Sequence, residues 1–315
     1  MKKPAKILIV GHQDAIENSL CAYFQAKKYP HVFSSSALKL DLLNQQKVFD
    51  FSKIKRLDYV FLGSLRSGGI AANQKFGAEF LYENLESQNN VIHAAYRFGV
   101  KKFLYFMSSC AYPKAAAQPI REESLLTGAL EETSEPYSIA KIAGVKLCQT
   151  YRRQYGFNAV VAGPATIYGP GSDTDPTTAH VLGALIAKFH QAVIEGKKDV
   201  VVWGSGKARR EFLFVDDFVE ASLFLLEHYD KEGLINIGCG NDVSIAELAE
   251  MIKKISGFKG KIVFDRAQPD GALRKLLDNR RITKLGWRAG VGLEEGILKT
   301  YQWYSAKSKR AAGSQ

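Results

Sequence analysis

Short apolar, β-branched and aromatic runs alternate with longer amphipathic stretches through the first half of the chain, and few architectures satisfy that order. Strand-like runs fall at residues 6–10, 31–35, 59–63, 102–109 and 158–168, and helical periodicity occupies 14–27, 77–98 and 135–155. A strand, a crossing helix and a further strand form a βαβ unit. Repetition of that unit gives a parallel sheet with both faces covered. The expected class is therefore α/β, with a doubly wound parallel sheet.

The second half is more mixed. Residues 200–203 read as a strand, and 216–228, 244–255 and 293–304 as helices. Ser244 and Glu247 form the S-x-x-E signature of a capping box. Residues 168–178 are rich in Gly, Pro, Ser, Thr and Asp and mark a passage between domains. The expected division is a cofactor domain over 1–168, to which 208–230 returns, and a smaller C-terminal α/β substrate domain over 169–315. The tail from Ser305 is basic and rich in small residues, and is expected to fray.

Composition narrows the function classes. With 315 residues, 46% of them hydrophobic, the chain has ample material for a buried core. No stretch approaches the ~18 apolar residues of a membrane span. The apolar run Ile7 to Val10 is too short for a secretory leader, so a cytoplasmic location is expected. Four cysteines, none at C-x-x-C spacing, give no zinc or redox motif. A net charge of +11 fits an enzyme with anionic ligands; no aromatic-interleaved basic motif points to nucleic acid.

Tyr137 and Lys141 form Y-x-x-x-K within the 135–155 helix, which puts both side chains on one face. An ammonium beside a phenol favours its ionised form, and such a tyrosine can exchange a proton with a carbonyl oxygen during hydride transfer. In most helices the same spacing is only a solvated face. Here Ser108 and Ser109 end a strand about thirty residues upstream, and ligand sites form at the carboxyl ends of parallel strands. Taken alone, Cys110 reads as a small buried apolar side chain and His180 as a histidine at a helix start.

Several segments together resemble the GDP-L-fucose synthases, extended short-chain dehydrogenases/reductases with a Rossmann-type sheet. They are GGIAAN from Gly68, SSCAYPK from Ser108, EPYSIAKIAGVKLC from Glu135, VVVWGSGKARREFLFVDD from Val200 and QPDGALRKLLD from Gln268. The likeness covers nearly the whole chain. It implies NADPH-dependent conversion of GDP-4-keto-6-deoxy-D-mannose to GDP-L-fucose: epimerisation at C3 and C5, then reduction at C4. It also implies a homodimer built through the 135–155 helix. By resemblance, Ser108, with Ser109 beside it, Tyr137 and Lys141 match the reductive set, Cys110 the epimerisation base and His180 its acid partner. Val181, Leu185, Lys188, Trp203 and Arg210 match the GDP-sugar contacts, and Arg274 and Lys275 are further phosphate candidates. Lys188 stands where the family usually has arginine, which keeps the charge and loses the bidentate fork. Asp216 and Asp217 read as structural.

The cofactor loop departs from the family. Gly11, His12, Gln13, Asp14, Ala15 and Ile16 occupy the dinucleotide loop, and Asp14 and Glu17 stand at its second and third glycines. Those glycines let backbone approach the pyrophosphate and pack the helix on the strand. Asp14-x-x-Glu17 reads instead as a self-capping start of the helix, using the N–H groups that would bind phosphate. Ser34, Ser35 and Ser36 end the second strand, where NAD-preferring proteins carry an acid. The usual arginine grip on a 2′-phosphate is missing too. Three readings follow: an epimerase-reductase with a remodelled NADPH site; a relative acting on another GDP-keto-sugar with one activity; or a GDP-sugar-binding homologue without catalysis. The retained Cys110, Tyr137, Lys141 and His180 put the enzyme readings first.

Overall fold

The structure is a computed structural model that describes residues 1, 3–12 and 14–312. β1 (Lys6–Val10), α1 (Ala15–Ala26), β2 (His31–Ser34), α2 (Gln45–Lys55), β3 (Tyr59–Leu62), α3 (Ile70–Lys75), α4 (Gly77–Arg97), β4 (Lys102–Phe106), α5 (Glu135–Tyr155) and β5 (Ala159–Pro164) alternate along the first half. The second half adds β6 (Thr166–Tyr168), α6 (Val181–Ile194), β7 (Asp199–Trp203), β8 (Arg209–Arg210), β9 (Phe212–Phe214), α7 (Val215–His228) and β10 (Leu234–Ile237). It closes with β11 (Val243–Ser244), α8 (Ile245–Ser256), β12 (Lys261–Asp265), β13 (Arg274–Lys275), α9 (Arg280–Leu285) and α10 (Leu293–Ala312).

The central sheet has the order β10-β5-β4-β3-β1-β2, with every pair parallel. Every residue of β4 and β5 is buried, as strands covered on both faces require. The chain leaves β1 towards β2 and then returns to β3 on the other side. That reversal opens a crevice beyond the carboxyl ends of β1 and β3, where open α/β sheets bind ligands.

Two hydrophobic cores flank the crevice. The first packs around the central sheet and includes Ile7, Phe61, Phe103, Val160 and Phe218. The second joins α6, β7, α8 and α10 through Leu185, Phe189, Val202, Leu248 and Ile297. β9 belongs to both: Leu213 faces the first core, and Phe212 and Phe214 face the second. Period-two alternation turns one short strand into the seam. Beyond residues 208–230, the first core also receives β10 and, through Leu277, Ile282 and Trp287, the chain around α9.

Some elements differ from the sequence reading. α2 carries only Val48 and Ser52 as buried residues, too thin a stripe to show as helical periodicity. α6 is apolar almost all round, which hides its period, because it is buried within the second core. The tail expected to fray from Ser305 continues α10 to Ala312. Tyr301 and Tyr304 of that helix pack against His190, which anchors its middle.

Candidate active site

A cleft of ≈370 Å³ runs between the two cores, from the start of α1 past the ends of β3 and β4 to α6, β7 and β8. At the α1 end, His12, Asp14, Ala15 and Ile16 line it; Gly11 lies just behind, and Gln13 lies outside the described residues. Asp14 is the N-cap of α1, and its Oδ1 accepts the Glu17 N–H at 2.9 Å. Glu17 is only 1% exposed and sends its carboxylate across to the end of β2. Oε1 accepts from the Ser34 hydroxyl at 2.8 Å and the Ser36 N–H at 3.2 Å, and Oε2 from the Ser36 hydroxyl at 2.6 Å. A Cβ at Gly11 would stand 2.9 Å from the Glu17 Cβ, so the remaining loop glycine makes room for that side chain.

At the reactive end, β4 delivers Ser108, Ser109 and Cys110 to the cleft. Ser108 caps a short 3-10 turn, its Oγ accepting the Cys110 N–H at 3.2 Å, and the Ser138 hydroxyl donates to the Cys110 carbonyl at 3.0 Å. The main chain under the thiol is therefore held from both sides. Tyr137 projects from the first turn of α5, and its hydroxyl lies 3.0 Å from Ser64 Oγ, just past β3. Lys141 follows one turn later, 2% exposed, donating to the Phe106 carbonyl at 2.8 Å and the Gly63 carbonyl at 3.1 Å.

The expected lowering of the Tyr137 phenol by Lys141 is not what this geometry gives. Burial pushes the phenol well up, against the hydrogen bonds of Ser64 and Ser108. The same burial pushes Lys141 down from 10.5 to about 7, with Asp14 and Cys148 opposing. Both shifts follow from desolvation disfavouring charge. At neutral pH Tyr137 is a protonated donor aimed into the cleft, the form that ketone reduction needs.

His180 is the N-cap of α6 and stands exposed at the mouth of the cleft. Crowding protein lowers its imidazolium, with Asp173 opposing and Lys275 and His12 reinforcing. Gly68 and Gly69 place this histidine. The Gly69 N–H donates to the Thr178 carbonyl at 2.7 Å. A Cβ at Gly69 would fall 2.5 Å from the Ala179 carbonyl oxygen, so only glycine permits the approach.

On the far wall, α6 contributes Val181, Leu185 and Lys188, and Trp203 and Arg210 come from β7 and β8. Lys188 Nζ lies 5.4 Å from the Trp203 ring centroid and donates to the Val201 carbonyl at 3.0 Å. Arg210 donates to the Asp270 carbonyl at 3.2 Å. Arg274, a sequence candidate for phosphate, is exposed and paired with the Asp242 carboxylate, outside the cleft lining. Lys275, its neighbour, points inwards, with Nζ 3.3 Å from Cys110 Sγ. Asp217 is buried and accepts from the Gly290 and Val291 N–H groups, which ties α7 to the start of α10. Sequence reasoning missed Ser64 and Asp270. The signal for Ser64 was its place just after a strand at the reversal of strand order.

Residues 7–238 match the NAD dependent epimerase/dehydratase family. The chain belongs to that family. It is 45% identical to "GDP-L-fucose synthase 1" of Arabidopsis thaliana over 302 residues, covering 96% of this chain and 94% of the relative. It is 42% identical to the GDP-L-fucose synthase of Escherichia coli (strain K12), covering 98% of this chain and 99% of the relative. Among solved structures, the GDP-mannoheptose C4 reductase MlghC of Campylobacter jejuni, with NADP bound, matches with a TM-score of 0.88. The identity is 37%, over 97% of this chain and 99% of that one. The resemblance seen in the sequence holds, and these relatives give no support to a role without catalysis.

The family implies a nicotinamide dinucleotide. The reactive half of the cleft fits one: Lys141 is buried between two carbonyls beside the Tyr137 ring, with Ser108 and Ser64 adjacent. The α1 half is narrower in chemistry. Its helix start is already capped by Asp14, and the end of β2 is bonded to Glu17.

Proposed function

We propose that this chain converts GDP-4-keto-6-deoxy-D-mannose to GDP-L-fucose with NADPH. It would invert C3 and C5 and then reduce C4. The observation that carries this reading is that Cys110, His180 and Tyr137 line one cleft with Trp203 and Arg210. A simple ketoreductase needs neither the cysteine nor the histidine. The 1–168 half holds the dinucleotide, with 208–230 returning to it, and the 169–315 half holds the GDP-sugar.

The C4 ketone acidifies the protons on both neighbouring carbons. Cys110, as thiolate, removes such a proton, and Tyr137 and Ser108 donate to the carbonyl oxygen that gathers the charge. His180 returns a proton from the opposite side of the ring. NADPH, when bound, supplies the hydride for C4. Tyr137 then gives its proton to the C4 oxygen, and Lys141 fixes the turn of α5 that aims the phenol. Trp203 offers a flat face to the guanine, and Arg210 and Lys188 offer positive charge to the diphosphate.

Tyr82 of α4 and Ile139 and Tyr155 of α5 are exposed. Apolar side chains left open on these two helices support a homodimer through α5. No helix among the described residues is long and apolar enough to cross a membrane, and a cytoplasmic site of action completes the reading. The test is incubation of the purified protein with GDP-4-keto-6-deoxy-D-mannose and NADPH in deuterated water, followed by NMR of the product. GDP-L-fucose deuterated at C3 and C5 supports the reading. A C4-reduced sugar without deuterium there replaces it with a reductase that does not epimerise.

A further inference from the structure

We infer that Lys275 is the positioning residue that holds Cys110 as a thiolate, rather than a phosphate ligand. This rests on the reading of Cys110 as the epimerisation base and names the group that makes it one.

Three observations carry it. Lys275 lies on β13, in parallel register with Arg210 on β8, so two cations stand side by side on the cleft wall. Its Nζ is 3.3 Å from Cys110 Sγ. Among the described residues no carboxylate forms an ion pair with Lys275, although Arg274 beside it is paired with Asp242. A partly buried ammonium without a counter-ion is costly, and the thiolate is the anion within reach. The main chain of Cys110, pinned by Ser108 and Ser138, keeps Sγ on the lysine.

The surrounding charges agree. Burial opposes ionisation of Cys110, yet the charge and hydrogen bond of Lys275, with Ser108 and Arg210, bring the thiol below its ordinary 9.0. Tyr137 on α5 faces the thiol as a neutral phenol. His180, the N-cap of α6, is lowered chiefly by desolvation and further by the same lysine, and Asp173 and Asp14 are the groups that favour the protonated form it needs as the acid. Lys275 therefore favours the base in its ionised state. A lowered thiol pKa beside a fixed cation is what separates a reactive cysteine from an inert buried one.

The test reads Cys110 directly. The purified full-length protein is alkylated with iodoacetamide across a pH series, and modification of the Cys110 peptide is followed by mass spectrometry. Lys275→Met is expected to raise the pH of half-reaction by about one pH unit or more and to slow alkylation near neutrality about tenfold, while Lys275→Arg restores most of both. An unchanged pH of half-reaction in Lys275→Met overturns the proposal. So does loss in Lys275→Arg equal to that in Lys275→Met, because the effect then does not follow the charge. Thermal melts of both variants identify any that fail to fold, and Lys275→Gln takes the place of methionine if methionine is not tolerated. Failure of the underlying reading shows elsewhere: Cys110→Ser would still exchange solvent deuterium into the keto-sugar, whatever the thiol titration gives.

Discussion

Lys141 offers a measurable consequence of the way α5 buries it. Its side chain is 2% exposed, and burial pushes its ammonium from 10.5 to about 7. A lysine whose folded value is depressed binds its proton more readily in the unfolded chain. Its contribution to stability is therefore greatest above the unfolded value and is lost as pH falls towards the folded one. At ~1.4 kcal/mol per pH unit, the full drop from 10.5 to about 7 amounts to ~5 kcal/mol. That figure is a ceiling, because the Gly63 and Phe106 carbonyls both accept from the ammonium and favour it. Lys141→Met removes the titration and leaves those carbonyls without their donor, a cost of ~1–3 kcal/mol that does not vary with pH. Urea unfolding of both proteins from pH ~7 to ~9.5 separates the two effects, since only the first depends on pH. Relative to the wild type, the variant should become more stable by ~1–3 kcal/mol as pH falls across that range. Parallel stability curves would refute the reasoning: the carbonyls would then have offset burial completely, and Lys141 would remain an ammonium throughout.

Other perturbations test the site at separate points. Tyr137→Phe should lower NADPH oxidation by ~10²–10⁴-fold while GDP binding by calorimetry stays unchanged, and strong residual oxidation would remove the phenol as proton donor. Asp14→Gly combined with Glu17→Gly frees the start of α1, removing the Asp14 carboxylate that lines the cleft and the buried Glu17 carboxylate that holds the end of β2. Calorimetry should show NADPH binding about tenfold tighter, with ~1 kcal/mol or more of stability lost with the cap; unchanged affinity would mean the loop holds the dinucleotide by another geometry. Arg210→Met should weaken GDP binding by roughly tenfold or more and leave NADPH affinity alone. Gly144→Ala puts a methyl 2.2 Å from the Tyr105 hydroxyl and 2.7 Å from Gln88 Oε1. A loss of ~1–3 kcal/mol in urea unfolding is expected, and a neutral result would show that α4 and α5 have room to separate.

What the sequence alone determined was local. The continuous apolar runs that mark β1 and β4, the 3.6 period of α5 and the alternation of the two are written in neighbouring residues. So are the Asp14 cap on α1 and the Ser244–Glu247 capping box. The cluster of candidate residues was legible only through the family resemblance, because Cys110 and His180 taken alone read as a small buried side chain and a helix-start histidine. What only the tertiary structure decided were relations between distant segments. Arg274 and Lys275 are adjacent in sequence and read alike, yet strand alternation sends one to Asp242 and the other to Cys110, 165 residues away. Glu17 reads as a capping partner, and the parallel pairing of β1 with β2 brings Ser34 and Ser36 to its carboxylate. The balance at Tyr137 and Lys141 followed the same logic: spacing put the pair on one helix face, and the packing of α5 against the sheet decided that burial would raise the phenol and lower the ammonium. Desolvation depends on everything that surrounds a group, and a linear sequence holds only its neighbours.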